Sequence, residues 1–121
     1  MGFFVYRAPE ANLSWIPAVD VVEEAERFVV RADLPGVDPK DVEITAEAGV
    51  LTLRGKRESV THEEAAYERT ERVAGSFLRR FTLPDAAQTD AITARQVNGV
   101  LEVSIPKQPK LQPRRVEVQA A

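Results

Sequence analysis

Residues 94–106 read ARQVNGVLEVSIP and contain the strongest hairpin signal in the chain. The Asn98-Gly99 pair favours a type I′ turn, because that turn needs positive φ at both central residues. After the turn, every second residue up to Ile105 is apolar, which is typical of a strand with one buried face. Pro106 ends the predicted strand, since proline cannot donate to a central ladder of hydrogen bonds.

Alternating segments upstream predict six further short strands, separated by turn residues. They lie at residues 18–22, 27–34, 41–46, 50–55, 76–83 and 90–97. Short strands at regular spacing are typical of a sandwich. The sequence therefore predicts an all-β, immunoglobulin-like β-sandwich of about seven to nine strands, with extended N- and C-terminal tails.

The pattern divides the 121 residues into three parts. Residues 1–17 are aperiodic and rich in apolar side chains, and they are either a disordered tail or an arm that offers aromatic rings to other chains. Residues 18–106 form the predicted domain, in which the long charged stretch 56–74 is a loop of the length that usually serves a function. Residues 107–121 are broken by proline and are expected to be extended.

Composition excludes several classes of protein. The 16 basic and 19 acidic residues give a net charge of −3 and are interspersed, which argues against binding nucleic acid. No apolar run approaches the ~20 residues of a membrane span, so we expect no stable membrane insertion. The absence of cysteine suits a reducing cytoplasm.

The chain lacks the residue patterns of an active site. His62 is the only histidine, lies in the charged loop and has no partner set for a metal. The glycines are isolated turn residues, so no phosphate-binding loop is present. Acidic pairs fall in turns, and no convergent pair suggests a carboxylate-based hydrolase. We therefore expect no enzyme activity, no metal and no cofactor.

Arg79 interrupts an apolar strand face. It alternates with Phe77 and Phe81, which directs its side chain into the sandwich or into an interface. A buried guanidinium needs a carboxylate or carbonyl partner, because an unpaired buried charge is costly. Alternatively, strand twist delivers the guanidinium to solvent.

Five segments together resemble the small heat shock proteins, the Hsp20 or α-crystallin domain family, in its bacterial or plant-like class. They are residues 15–20, 33–37, 49–55, 75–84 and 94–106. The resemblance implies an α-crystallin domain at 18–106 and an ATP-independent stress chaperone of the cytoplasm. Such a protein forms homodimers that assemble into homo-oligomers, and it holds partly unfolded client proteins in solution.

The resemblance also implies an anchor and a groove for assembly. Val116-Glu117-Val118 resembles the C-terminal anchoring motif of the family, with valine where isoleucine is often found. Two apolar side chains at i and i+2 suit an apolar groove that receives an extended chain. By resemblance, the groove belongs to a neighbouring dimer, and its walls are Val42, Ile44, Ile92 and Ala94.

Dimerisation and client binding are implied in the same way. In the family, the loop at 56–74 carries a strand that pairs with the first strand of the partner; here residues 67–72 would be the donor and 18–22 the acceptor. Without exchange, the loop would be solvated and mobile. The implied interface residues are Arg79, Tyr67, Glu68, Arg69, Val19 and Val21. The client-binding candidates are Phe3, Phe4, Tyr6 and Trp15.

A second hypothesis shares the fold but not the activity. A p23-like or CS-domain co-chaperone is a related sandwich that serves as an adaptor for a larger machine. The long charged loop at 56–74 and the Val116-Glu117-Val118 motif near the C-terminus argue against this hypothesis. A stable monomer would favour it.

Overall fold

The computed structural model describes residues 15–58, 68–109 and 116–120, together with the backbone of residues 6–7. Its strands are β1 Tyr6–Arg7, β2 Val19–Glu23, β3 Arg27–Asp33, β4 Val42–Glu47, β5 Val50–Arg57, β6 Gly75–Thr82, β7 Thr93–Val97 and β8 Val100–Pro106. Short 3-10 helices span Pro39–Asp41 and Thr89–Ala91.

The strands form two four-stranded antiparallel sheets. The first sheet has the order β1-β6-β5-β4, and the second has the order β2-β3-β8-β7. The edge strands are therefore β1 and β4 in one sheet, and β2 and β7 in the other. The predicted all-β sandwich is confirmed.

The predicted β7–β8 hairpin is present. Asn98 and Gly99 have φ of 53° and 78°, and the ladder closes with Val97 opposite Val100. The β4–β5 turn uses the same left-handed backbone at Ala48 and Gly49. These turns match the right-handed twist of the strands that they join.

One continuous core lies between the sheets. The buried side chains that form it alternate along the central strands, as the period of two requires. They include Phe28, Val30, Ala32, Leu51, Leu53, Phe77, Phe81, Leu101, Val103 and Ile105. In the described part of the chain, no polar or charged side chain is fully buried.

The structure differs from the predicted elements in three places. The strand predicted at 90–97 is the 3-10 helix at 89–91 followed by β7. Residues 6–7, predicted to be aperiodic, form a strand on β6. Residues 68–72, part of the predicted donor strand, are not a strand in the single chain, and their pairing with a partner stays a prediction.

Among the described residues, the structure has no helix with the length and apolar character of a membrane span.

Candidate assembly groove and dimerisation surfaces

An apolar groove lies where the edge strands β4 and β7 of the two sheets approach each other. Ile44 pairs with the buried Leu53, and Ala94 pairs with the buried Val103, so both stand at the margin of the core. The 3-10 helix at 89–91 brings Ile92 to the same place. The groove encloses about 250 Å³ and is lined by Ile44, Ala46, Thr89, Ile92, Thr93 and Ala94.

Three of the four predicted groove residues come together there. Val42 does not line this groove: it lies at the beginning of β4, opposite Gly55, and lines a separate cavity of about 430 Å³ with Phe77. Two residues of strand advance the chain by about 6.6 Å, which separates Val42 from the groove walls around Ile44. Ala46 also lines the groove and was not predicted to do so, although its alternation with Ile44 could have identified it.

The chemistry of the groove is that of a contact surface. None of its lining side chains ionises, and only two threonine hydroxyls offer hydrogen bonds. Ile44 and Ile92 remain partly exposed although they pack against the core. An apolar surface in this state gains free energy when another apolar group covers it. The groove therefore suits the binding of apolar side chains and not proton transfer.

The predicted anchor residues, Val116 and Val118, are exposed to solvent in the single chain. Val116 is 75% exposed and Val118 is 96% exposed. Residues 116–120 have no regular secondary structure in the single chain. Both valines are thus available for a contact that the isolated chain does not make.

Arg79 is half-buried on β6, opposite Leu53. Its Nη1 donates to the Pro17 carbonyl oxygen at 2.7 Å, and its guanidinium carbon lies 5.3 Å from the centroid of the Phe81 ring. The alternation with Phe77 and Phe81 therefore directs this side chain toward a backbone carbonyl, and strand twist does not deliver it wholly to solvent. The described carbonyl contact lies within one chain, and a role in a dimer interface stays a prediction.

The predicted acceptor strand is an edge strand. Val19 and Val21 pair with Ala32 and Val30 of β3, and both pack partly buried against the core. Glu68 and Arg69 of the predicted donor are exposed. Tyr67 lies outside the described residues.

Trp15 packs on the sandwich. Its Nε1 donates to the Gly75 carbonyl oxygen at 3.0 Å, and its ring meets Phe77 edge to face with centroids 5.4 Å apart. The Arg57 guanidinium covers the indole at 4.2 Å and also binds the Val73 carbonyl oxygen. Trp15 therefore contacts the sandwich although it precedes residue 18, and the division at residue 17 stays a prediction.

We expect Trp15→Ala to lower the free energy of unfolding by about 2 to 3 kcal/mol, since it removes a half-buried ring and a hydrogen bond. Trp15→Phe keeps an aromatic ring against Phe77 and should cost about 1 kcal/mol, the net value of the lost hydrogen bond. Urea unfolding followed by circular dichroism measures both. Equal stability of the alanine variant and the parent would show that Trp15 is not part of the domain.

The other client-binding candidates have no described side chains. Phe3 and Phe4 lie outside the described residues, and Tyr6 is placed only by its backbone, opposite Phe81.

The outer face of the second sheet is a charged ladder. Asp20, Arg31, Glu102 and Arg95 form one cross-strand row of alternating sign. Glu102 lies 3.3 Å from Arg31 and 3.6 Å from Arg95. At the end of this face, a hydrogen bond from Arg27 to Glu24 raises the pKa of the Arg27 guanidinium above its ordinary value. This face does not suit an apolar partner.

Metal binding has no candidate residues in the described ranges, where no three His, Cys, Asp or Glu side chains are grouped to hold an ion. His62 lies outside those ranges.

Comparison with known proteins identifies relatives along most of the chain. The Hsp20/alpha crystallin family model matches residues 20–119. Spore protein SP21 of Stigmatella aurantiaca is 43% identical over 109 residues, which cover 87% of this chain and 63% of that protein. Small heat shock protein C2 of Rickettsia felis is 37% identical over 110 residues, covering 90% of this chain and 70% of that protein. The chain thus spans less than two thirds of the length of SP21.

Solved structures agree with the sequence comparison. A small heat-shock protein from Xylella fastidiosa superimposes with a TM-score of 0.79 at 44% identity, covering 88% of this chain and 99% of that chain. The hspA protein of Xanthomonas axonopodis superimposes with a TM-score of 0.72 at 51% identity, covering 78% of this chain and 96% of that chain. Because the family model covers most of the chain and the sandwich matches these structures, the protein belongs to the Hsp20/alpha crystallin family.

Proposed function

We propose that this protein is an ATP-independent holdase chaperone that works through homodimers assembled into larger homo-oligomers. The observation that carries the proposal is the pairing of complementary surfaces in one chain: a partly exposed apolar groove at Ile44, Ile92 and Ala94, and two exposed valines at 116 and 118. Membership of a chaperone family supports a binding role and not catalysis.

The groove and the two valines fit a strand-like contact between copies. In an extended segment, Val116 and Val118 point to the same side, about 7 Å apart. Covering them in the groove of another chain removes apolar surface from water on both sides. In this proposal, residues 107–121 are the extension that links dimers.

The proposed dimer contact uses β2, the edge strand of the second sheet that lies opposite β7 and the groove. An exposed strand edge favours pairing with another chain, and β2 is such an edge. Residues 67–72 of one copy pair with β2 of the other around Val19 and Val21, and the closed contact is two-fold. Arg79 supports this region through its bond to the Pro17 carbonyl oxygen.

Client binding follows from the same physics. A partly unfolded protein exposes apolar patches and strand edges, which aggregate when they meet one another. Oligomers that release their valines expose the groove, and they offer the aromatic N-terminal residues as well. Binding the unfolded state competes with aggregation and needs no nucleotide. The division into an arm, a domain at 18–106 and an extension is part of the proposal, with Trp15 as the point where the arm meets the domain.

Light scattering of a heat-labile enzyme, warmed with and without this protein and in the absence of ATP, tests the proposal. We expect suppression of scattering at near-stoichiometric ratios, and no change when ATP is added. An equal weight of serum albumin controls for crowding. Undiminished scattering together with a stable monomeric mass would contradict the holdase and favour an adaptor of the p23 type.

A further inference from the structure

Arg57 lies at the base of the loop at 56–74, where the chain leaves the first sheet and returns to it. It is the last residue of β5, and it pairs with Gly75, the first residue of β6. Its side chain is half-buried. A side chain at this position can contact both ends of the loop and the segments that pass beside them.

The guanidinium of Arg57 binds two separate stretches of backbone. Its Nε and Nη2 both donate to the Val73 carbonyl oxygen, with Nε at 2.9 Å, and its Nη1 donates to the Pro35 carbonyl oxygen at 3.1 Å. Arginine suits this arrangement because its five N–H donors are fixed in one plane. Arg57 therefore holds the returning end of the loop against the turn that follows β3.

Trp15 contacts the same guanidinium from the N-terminal side. The guanidinium carbon of Arg57 lies 4.2 Å from the centroid of the Trp15 ring, which is the geometry of a cation–π interaction. The indole Nε1 donates to the Gly75 carbonyl oxygen at 3.0 Å. Trp15 shortly precedes Val19, where β2 begins. The stack therefore connects the base of the loop with the entry to β2.

The turn at Pro35-Gly36 also approaches the last residue of the predicted donor. Gly36 has φ of +80°, and a Cβ atom built at this position would lie 3.6 Å from Cδ of Arg57 and 3.7 Å from Nη2 of Arg72. Arg57 and Arg72 thus both lie beside this turn. The end of the donor segment 67–72 is placed next to the same part of the structure that Arg57 binds.

These contacts join the two elements that the proposed exchange uses. Residues 67–72 would pair with β2 of the partner, while β2 of this chain receives the same segment of the partner. A segment whose root is already held in place loses less conformational freedom when it pairs, so it binds more tightly. Arg57 contacts both Val73, at the root of the donor, and Trp15, ahead of the acceptor. It therefore fixes a relation that a two-fold contact must reproduce on both sides.

We propose that Arg57 is a positioning residue for dimerisation, which orients the loop at 56–74 through Val73, Pro35 and Trp15. This role rests on the loop-exchange dimer proposed above and names the residue on which that exchange depends. Arg57 acts through the segments that it binds, and not by contact with the partner.

Arg57→Lys tests this role with the charge retained. A lysine ammonium is a point charge without the planar fork that binds both carbonyl oxygens and stacks on the ring, so the dimer dissociation constant should rise at least about tenfold. Native mass spectrometry of the full chain over a dilution series gives the ratio of dimer to monomer, whatever larger species coexist. Arg54→Lys is the matched control: Arg54 is exposed on the same strand, and its replacement should leave the ratio unchanged.

Trp15→Leu weakens the same contact from the other side, and it tests the contact even if Arg57→Lys does not fold. It removes the ring but leaves the guanidinium and its two carbonyl partners. The dimer dissociation constant should rise about two- to fivefold, the value of an exposed cation–π contact. In the double variant, the combined change should be smaller than the product of the two single changes, because both act through one contact. Circular dichroism checks that each variant is folded at the concentrations used.

Other results would overturn the role of Arg57 in distinguishable ways. If Arg57→Lys lowers the free energy of unfolding in urea but leaves the ratio of dimer to monomer unchanged, Arg57 only stabilises the fold. If Arg54→Lys weakens the dimer as much as Arg57→Lys does, the effect does not come from the contacts of Arg57. A parent chain that is monomeric at every concentration would refute the loop-exchange dimer itself. A dimeric parent and an Arg57→Lys variant with equal dissociation constants would refute only the positioning role.

Discussion

Replacing Val116 and Val118 by serine is expected to reduce the oligomers to dimers of twice the 13.4 kDa chain mass. Covering a valine side chain fully contributes about 1.5 to 3 kcal/mol, so each anchor loses several kcal/mol when both are replaced. Serine adds the cost of burying its hydroxyl without a partner. Sedimentation velocity or light scattering coupled to size exclusion measures the mass.

The control for this variant lies between the two valines. Glu117→Ser changes the same segment but not its apolar side chains, and it should leave the mass unchanged. A second variant changes the groove: Ala94→Arg places a long charged side chain in it, from an exposed position on β7. This variant should also have the mass of a dimer. An unchanged oligomer in both the valine and the Ala94 variants would show that assembly uses another surface.

Gly55→Ala is expected to cause the largest loss of stability among single substitutions at glycine. A Cβ atom at this position would lie 2.5 Å from the Asp41 carbonyl oxygen and 2.8 Å from Cζ of Phe77. Neither neighbour moves easily, because one is backbone and the other is a buried ring. Overpacking of this kind typically costs 1 to 3 kcal/mol, and two rigid neighbours place Gly55→Ala at about 3 kcal/mol or more.

Gly49→Ala is the matched control for Gly55→Ala. Gly49 has φ of +75°, and its added Cβ would meet nothing within 4 Å, so only backbone strain of about 1 to 2 kcal/mol is expected. Urea unfolding at one protein concentration compares the two variants. The steric explanation is wrong if Gly55→Ala costs no more than Gly49→Ala.

The arrangement of the site was only partly predictable from sequence. Ile44 and Ile92 are 48 positions apart in the chain, and their placement in one groove was expected from the family resemblance. Period-two alternation explains why Ile44 and Ala46 share a wall, but it does not say where along β4 the groove ends. That limit depends on how the two sheet edges approach each other, and it leaves Val42 beside Gly55 and Phe77.

The contacts of the N-terminal residues were likewise not predictable from the local sequence. Nothing local distinguishes Trp15 from the other apolar residues before it, and its partner Gly75 is 60 positions away. Pairing of residues 6–7 with β6 depends equally on a strand that forms far along the chain. Such contacts have no local signature, because they reflect which surfaces the finished sandwich leaves uncovered.

Alternation and turn residues were enough to predict most of the strands, the hairpin at Asn98-Gly99 and the all-β class, since alternation and positive φ are properties of neighbouring residues. Which strands lie at the sheet edges, which apolar residues line the groove and where Trp15 packs follow from the folded structure. Those features arise from packing between segments that are distant in the chain, and their free energy exists only once both sheets are in place.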